Sequence, residues 1–166
     1  MELQLVAHRT PFGQTKIVLG MGGEGAPDSE NVVYYGSVHK VGDELWMWYL
    51  GQGEDDEWFE RVCFAKSKDG YHWEKPNLGL FEHNGSKQNS IVLATINGKQ
   101  GHDLSVFKDS NPRVARGEEY KAVGYGRSPA GLYAFKSPDG LHWTPYNDGK
   151  PVMTGHAFDT QNIAFW

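Results

Sequence analysis

A single cysteine, Cys63, rules out an internal disulfide framework and a cysteine-rich zinc site in this chain of 166 residues. Within Val62-Cys63-Phe64-Ala65 it reads as a small core side chain and not as a reactive thiol. Basic residues are in deficit: 16 Lys and Arg stand against 21 Asp and Glu, a formal net charge of −5. A phosphate-neutralising face needs the opposite balance, so a nucleic-acid partner is not expected. Long apolar runs are also missing. The longest uncharged one, residues 90–96, falls far short of the roughly 18 residues of a spanning helix, so no membrane partner is expected. Met1-Glu2-Leu3-Gln4 carries neither the basic region nor the apolar stretch of an export signal, which makes the cytoplasm the default expectation. No stretch holds an i, i+3, i+4, i+7 apolar pattern without Gly or Pro breaking it, so helix should be minor.

What the chain has in excess is glycine (21) and aromatic residues (6 Trp, 8 Tyr, 8 Phe), spread evenly. That composition suits short strands and tight turns, and the expected class is all-β. Strand signals fall near residues 16–19, 31–39, 44–50, 61–67, 90–94, 104–108, 120–125, 132–137 and 163–166. Val41-Gly42-Asp43 and Arg116-Gly117-Glu118 read as turns between them.

The chain repeats itself. Lys66-Ser67-Lys68-Asp69-Gly70-Tyr71-His72-Trp73 returns 70 residues later as Lys136-Ser137-Pro138-Asp139-Gly140-Leu141-His142-Trp143. Asp159-Thr160-Gln161-Asn162-Ile163-Ala164-Phe165-Trp166 likewise echoes Asp28-Ser29-Glu30-Asn31-Val32-Val33-Tyr34-Tyr35. Units of this length built from four antiparallel strands suggest propeller blades. The expected layout is a leading segment 1–27, a first blade 28–100, a second blade 101–157, and the first strand of a third blade in 158–166. In the S-x-D-G-x-x-W element the Asp accepts hydrogen bonds from backbone amides, the Gly takes a positive φ, and the Trp covers the turn. Its expected role is that of a fold staple, with His72 and His142 exposed.

Other motifs resolve to plain readings. Gly20-Met21-Gly22-Gly23-Glu24-Gly25 matches G-x-G-x-x-G, but a strand and not a helix follows it, and Glu24 would repel a phosphate. No cofactor is expected. None of the seven histidines forms a tight ligand pair, so no metal site is assigned. A nucleophile elbow is absent as well. Carboxylates beside inner strands are more suggestive, because one end of those strands converges on one pocket. Asp28, Asp103 or Asp109, and Asp159 hold such places. Glycoside hydrolysis needs two carboxyl groups at about 5–5.5 Å or about 6.5–9.5 Å; capping strand entrances is the alternative use of the same acids.

The Asp28-Ser29-Glu30-Asn31 segment, the Trp46-Met47-Trp48-Tyr49 strand and Ser67-Lys68-Asp69-Gly70-Tyr71-His72-Trp73 together resemble the five-bladed β-propeller glycosidases, namely family 43 arabinanases and xylosidases and family 32 invertase-like enzymes. Phe107-Lys108-Asp109-Ser110-Asn111-Pro112 is similar to their R-D-P element, with Lys for Arg and two residues inserted before Pro. The resemblance implies that Asp28 is base or nucleophile and that Asp109 fixes the sugar and tunes the acid. It also implies a general-acid Glu from a later blade, for which no residue here matches the motif; Asp159 could occupy an equivalent rim position. D-G-x-x-W turns occur in sialidase-type propellers too, so the resemblance leaves the substrate open.

The expectation is therefore a glycoside-hydrolase-like propeller acting on an oligo- or polysaccharide, with Asp28, Asp109 and Asp159 as catalytic candidates. Trp58, His102, Asp103 and Asn31 are the candidate sugar-binding residues. Trp58 lies in a charged loop and offers a flat face for stacking on a sugar ring. The alternative is a non-catalytic carbohydrate-binding or assembly module. Two blades do not close a ring, so either further blades or further copies of the chain, a homo-oligomer, would complete it.

Overall fold

The computed structural model describes residues 17–54, 60–96, 101–158 and 161–166, with backbone alone for 101 and 102. The fold is all-β. In one antiparallel sheet β1 (Asn31–Val41), β2 (Glu44–Gln52), β3 (Glu60–Ser67) and β4 (Trp73–Glu74) lie in chain order, and β5 (Ile91–Leu93) also pairs with β3. In the other, β6 (Gly101–Lys108), β7 (Tyr120–Arg127), β8 (Ala130–Ser137) and β9 (Thr144–Pro145) repeat that order. Each is a four-strand meander resembling a propeller blade. A single 3-10 turn, Asn147–Gly149, is the one helical element among the described residues, and none of their helices is long and apolar enough to cross a membrane.

Two expected strands do not form. Residues 17–19 and 163–166 join no ladder. A strand is stable only when a neighbour takes its backbone donors and acceptors, and neither segment meets such a neighbour among the described residues. Ile163, Phe165 and Trp166, the counterparts of Val32, Tyr34 and Tyr35, are left exposed, Phe165 by 83%.

Burial along the strands follows what covers each face. On β7 and β8 buried and half-buried residues alternate, the period of a sheet covered mainly on one side. Most of β2 and β3 is continuously buried because both faces are covered. One face carries Trp48, Leu50, Val62 and Phe64 into a core shared with Leu104, Val106, Tyr120 and Phe135 of the second sheet. The other carries Met47, Tyr49, Cys63 and Ala65 under Leu19, Phe81 and Ala94.

The inner strands β1 and β6 meet through polar groups as well. Ser37 Oγ accepts from the Val106 amide at 2.8 Å, and His39 Nε2 donates to the Val106 carbonyl at 2.6 Å. Both strands are bulged, between Val33 and Ser37 in β1 and between His102 and Leu104 in β6. Gly36 in the first bulge is required by space, since a Cβ there would stand 1.8 Å from the Trp48 carbonyl oxygen.

The repeated turns are built alike, as their sequence implied. Asp69 Oδ1 accepts from the amides of Tyr71 and His72, and Asp139 Oδ1 from those of Leu141 and His142. Each carboxylate also pairs with its own exposed histidine, His72 or His142, at 2.7 Å. Gly70 and Gly140 both take φ +77°. They differ in one bond. Trp73 Nε1 donates to the Gly70 carbonyl within its own turn, whereas the Gly140 carbonyl accepts from Trp48 of the other sheet at 2.8 Å. Trp143 Nε1 is consequently buried without a partner.

Substitution should therefore separate two turns of identical backbone. Gly70→Ala carries the left-handed strain alone, about 1–2 kcal/mol. Gly140→Ala adds a Cβ 2.9 Å from the Trp48 ring, and its urea midpoint should fall clearly further. Equal losses for the two would show that the Trp48 contact does not couple the sheets.

Candidate functional site

Residues 20–28 fold into a compact loop ahead of β1. The Gly22 amide donates to the Asp28 carbonyl at 3.1 Å, Ala26 to Gly23 at 3.0 Å, and Ser29 to Ala26 at 3.2 Å. The glycine-rich motif serves this close folding: a Cβ on Gly22 would lie 2.5 Å from Asp28 Oδ1. Asp28 is thereby only 2% exposed. Its Oδ2 accepts from the Tyr49 hydroxyl at 2.8 Å and from Lys75 Nζ at 2.5 Å. Lys75 also donates to the Gly20 carbonyl at 2.6 Å and stands 5.8 Å over the Tyr49 ring.

This buried charge sets the chemistry of its neighbours. Burial first, and with it the Asp28 carboxylate and the hydrogen bond made to it, pushes the Tyr49 phenol far above its ordinary range. Burial and the Asp28 carboxylate push the Cys63 thiol up to about 12, so it is an inert core group.

Asp103 occupies the β6 bulge at φ +51° and is also 2% exposed. The bulge turns its carboxylate toward backbone donors. Oδ1 accepts from the Tyr125 amide at 3.2 Å, and Oδ2 from the amide and side chain of Asn162 at 3.2 and 3.3 Å. The segment after residue 160 is thus tied to β6, while Gln161 Nε2 donates to the Gly36 carbonyl of β1. An open groove of about 370 Å³ runs between that segment and the inner strands, lined in part by Tyr34, Val38, Ser105, Phe107, Ile163 and Phe165.

Asp109 lies elsewhere. It is buried at the far end of β6, accepting from Lys121 Nζ at 2.5 Å and from the Asn111 amide at 2.8 Å. Trp46 stacks on Tyr120, the ladder partner of Lys108, at 6.3 Å between ring centroids. Asp28 sits instead against Gly51, at the other end of β2. Five residues of strand separate the two levels, roughly 17 Å. Asp28 and Asp109 thus share no hydrogen-bond partner and stand at different levels of the packed sheets. The contacts of Ser37 and His39 with Val106 set β1 beside β6, with Asp28 and Asp103 both toward the strand starts.

Asn31 is exposed at the start of β1, paired with Gln52. His102 pairs with Tyr125 in the ladder, its side chain lying outside the described residues. Trp58 and Asp159 fall outside the described residues. Sequence reasoning missed Tyr49 and Lys75 around Asp28, and also a network beside Asp109. There Lys136 and the Tyr146 hydroxyl both donate to Glu118, at 2.7 and 2.5 Å. A single hint was available: Lys136 is the counterpart of Lys66 in the 70-residue repeat, and the ladders pair Lys136 with Lys121 as they pair Lys66 with Trp46. Among the described residues no group of three or more His, Cys, Asp or Glu side chains could hold a metal ion.

No protein-family profile and no curated protein matches this chain. Solved structures do. One, described as a complex of BT0996 with RGII, aligns with a TM-score of 0.51 and 18% identity over 75% of this chain and 37% of its own. A candidate glycoside hydrolase from Parabacteroides distasonis aligns at 0.45 and 16% over 69% and 34%, and one from Bacteroides ovatus at 0.45 and 18% over 69% and 32%. The likeness to the first is one of fold. This chain spans about a third of the length of each of these structures.

The Asp109 pair has a pH signature. Hydrogen bonds from Lys121 and from the Asn111 amide hold its carboxyl below the ordinary Asp range. A folded pKa below the unfolded one means stabilisation that is complete above about pH 4 and lost as pH falls through the lower folded value. Thermal melts of wild type and Asp109→Asn should therefore differ at neutral pH and converge in acid. A constant difference across that range would remove Lys121 as the cause.

Proposed function

We propose that this chain is part of a carbohydrate-active β-propeller whose strand-start rim takes an oligo- or polysaccharide. The observation that carries the reading is the pair of buried carboxylates, Asp28 and Asp103, at the starts of the two inner strands and at the same end of the packed sheets. Inner strands converge at such a rim, so acids from separate repeats can address one ligand. A polar recess of about 260 Å³ adjoins the loop over Asp28, lined by Glu24, His83, Ser86, Gln88 and Asn89 among others. Donors and acceptors of that kind match sugar hydroxyls. The fold likeness to a structure described as an RGII complex points the same way.

For hydrolysis Asp28 would serve as base or nucleophile, opposite an acid that this chain does not identify. Asp103, held by amides, would contact the sugar. The second reading, binding without cleavage, is favoured by one feature: Asp28 is covered, with Oδ2 engaged by both Lys75 and Tyr49.

Titration calorimetry and product analysis with arabinan, xylan and pectic oligosaccharides test both. Under the first reading Asp28→Asn lowers turnover by ~100-fold or more while its thermal melt stays cooperative. Binding that survives Asp28→Asn, is lost with Trp58→Ala and releases no product supports the second. Absence of binding to every one of these glycans overturns both.

A further inference from the structure

Asp28 is packed between a loop and the first sheet. The 20–27 loop lies outermost, with Met21, Gly23 and Glu24 exposed. The Asp28 carboxylate comes next, in contact with Gly22. Gly51 of β2 faces both Asp28 and Cys63, since a Cβ there would stand 2.8 Å from Asp28 Cβ and 3.0 Å from Cys63 Sγ. Cys63 thus lies beside Asp28 on the same face of the sheet and is fully buried, with Leu19 of the same leading segment packed on its cluster. Most of the loop's hydrogen bonds close on the loop itself. Its charged anchor to the sheet is Lys75, directly after β4, whose Nζ binds the Gly20 carbonyl and Asp28 Oδ2 together.

We propose that Lys75 is the positioning residue of the Asp28 site: one ammonium group holds both the carboxylate and the loop above it, and the loop opens onto Asp28 when that pair parts. The inference rests on the reading of this rim as a carbohydrate site. An ion pair taken out of water gains little net free energy, because desolvation offsets the attraction. The Lys75 side chain already keeps 24% of its surface in solvent. Parting the pair therefore returns two charges to water and leaves the sheet ladders intact, the condition for a local opening below the global unfolding free energy. A sugar hydroxyl arriving at the opened rim would then replace Lys75 as donor to Asp28.

Cys63 makes the opening visible without any sugar. The full chain would be labelled with 5,5′-dithiobis(2-nitrobenzoate) at fixed pH, over urea concentrations below the unfolding transition. Lys75→Met should label roughly tenfold faster than wild type, with little urea dependence. Lys75→Arg, which keeps the charge and a donor, should return the rate toward wild type. Gly22→Ala leaves the pair's residues in place but pushes the loop off Asp28 Oδ1, and should also label faster. Should Lys75→Met not fold, Lys75→Gln takes its place, with the same faster labelling expected. An unchanged rate in the folded variants, or a urea dependence equal to that of global unfolding, overturns the proposal. Faster labelling together with no glycan binding would retain Lys75 as the loop's latch and discard the carbohydrate reading, so the two fail separately.

Discussion

The contact between the Trp48 indole and the Gly140 turn sets the geometry on which the rest of the fold depends. A buried indole N–H needs an acceptor, and Trp48 finds its own on the opposite sheet. That bond, with the stacking of Trp46 on Tyr120, fixes how the sheets are staggered. Stagger then decides which strand ends share a rim. Because the aromatic level lies beside Tyr120, the starts of β1 and β6 fall together at the other end, with Asp28 and Asp103, while Asp109 is left on the opposite side.

The buried carboxylates are neutralised in different ways. Asp28 faces an ammonium and a phenol, Asp103 faces amides, and Asp109 combines an ammonium with one amide. Amides are fixed by the backbone and yield only if the ladder yields. An ammonium on a four-carbon stem can leave. Of the two acids held by an ammonium, Asp28 is the one covered by a loop.

Much of the fold was legible because its signals are local. Strand alternation, the glycines of the hairpins and the S-x-D-G-x-x-W turns depend on residues within a few positions of one another. The turn chemistry of Asp69 and Asp139 follows the reading bond for bond. The failures were all of partnership. Residues 163–166 carry the pattern of β1 but join no ladder among the described residues. The resemblance gave Asp28 and Asp109 a shared substrate, and the strands show that the first precedes its inner strand while the second follows its own. Lys75 was invisible because it meets Asp28 across 47 positions, a distance no spacing rule covers.

The unequal turns give the repeat a direction. The first meander satisfies the carbonyl of its own Gly70 with its own Trp73, while its Trp48 takes an acceptor from the second. The second surrenders the equivalent carbonyl to the sheet before it, leaving Trp143 Nε1 without an acceptor. The two units are not interchangeable tiles. Each depends on the other, so cutting the chain between them would strand the Trp48 indole on one side and free the Gly140 carbonyl on the other, and transposing the two would forfeit the bond that joins them.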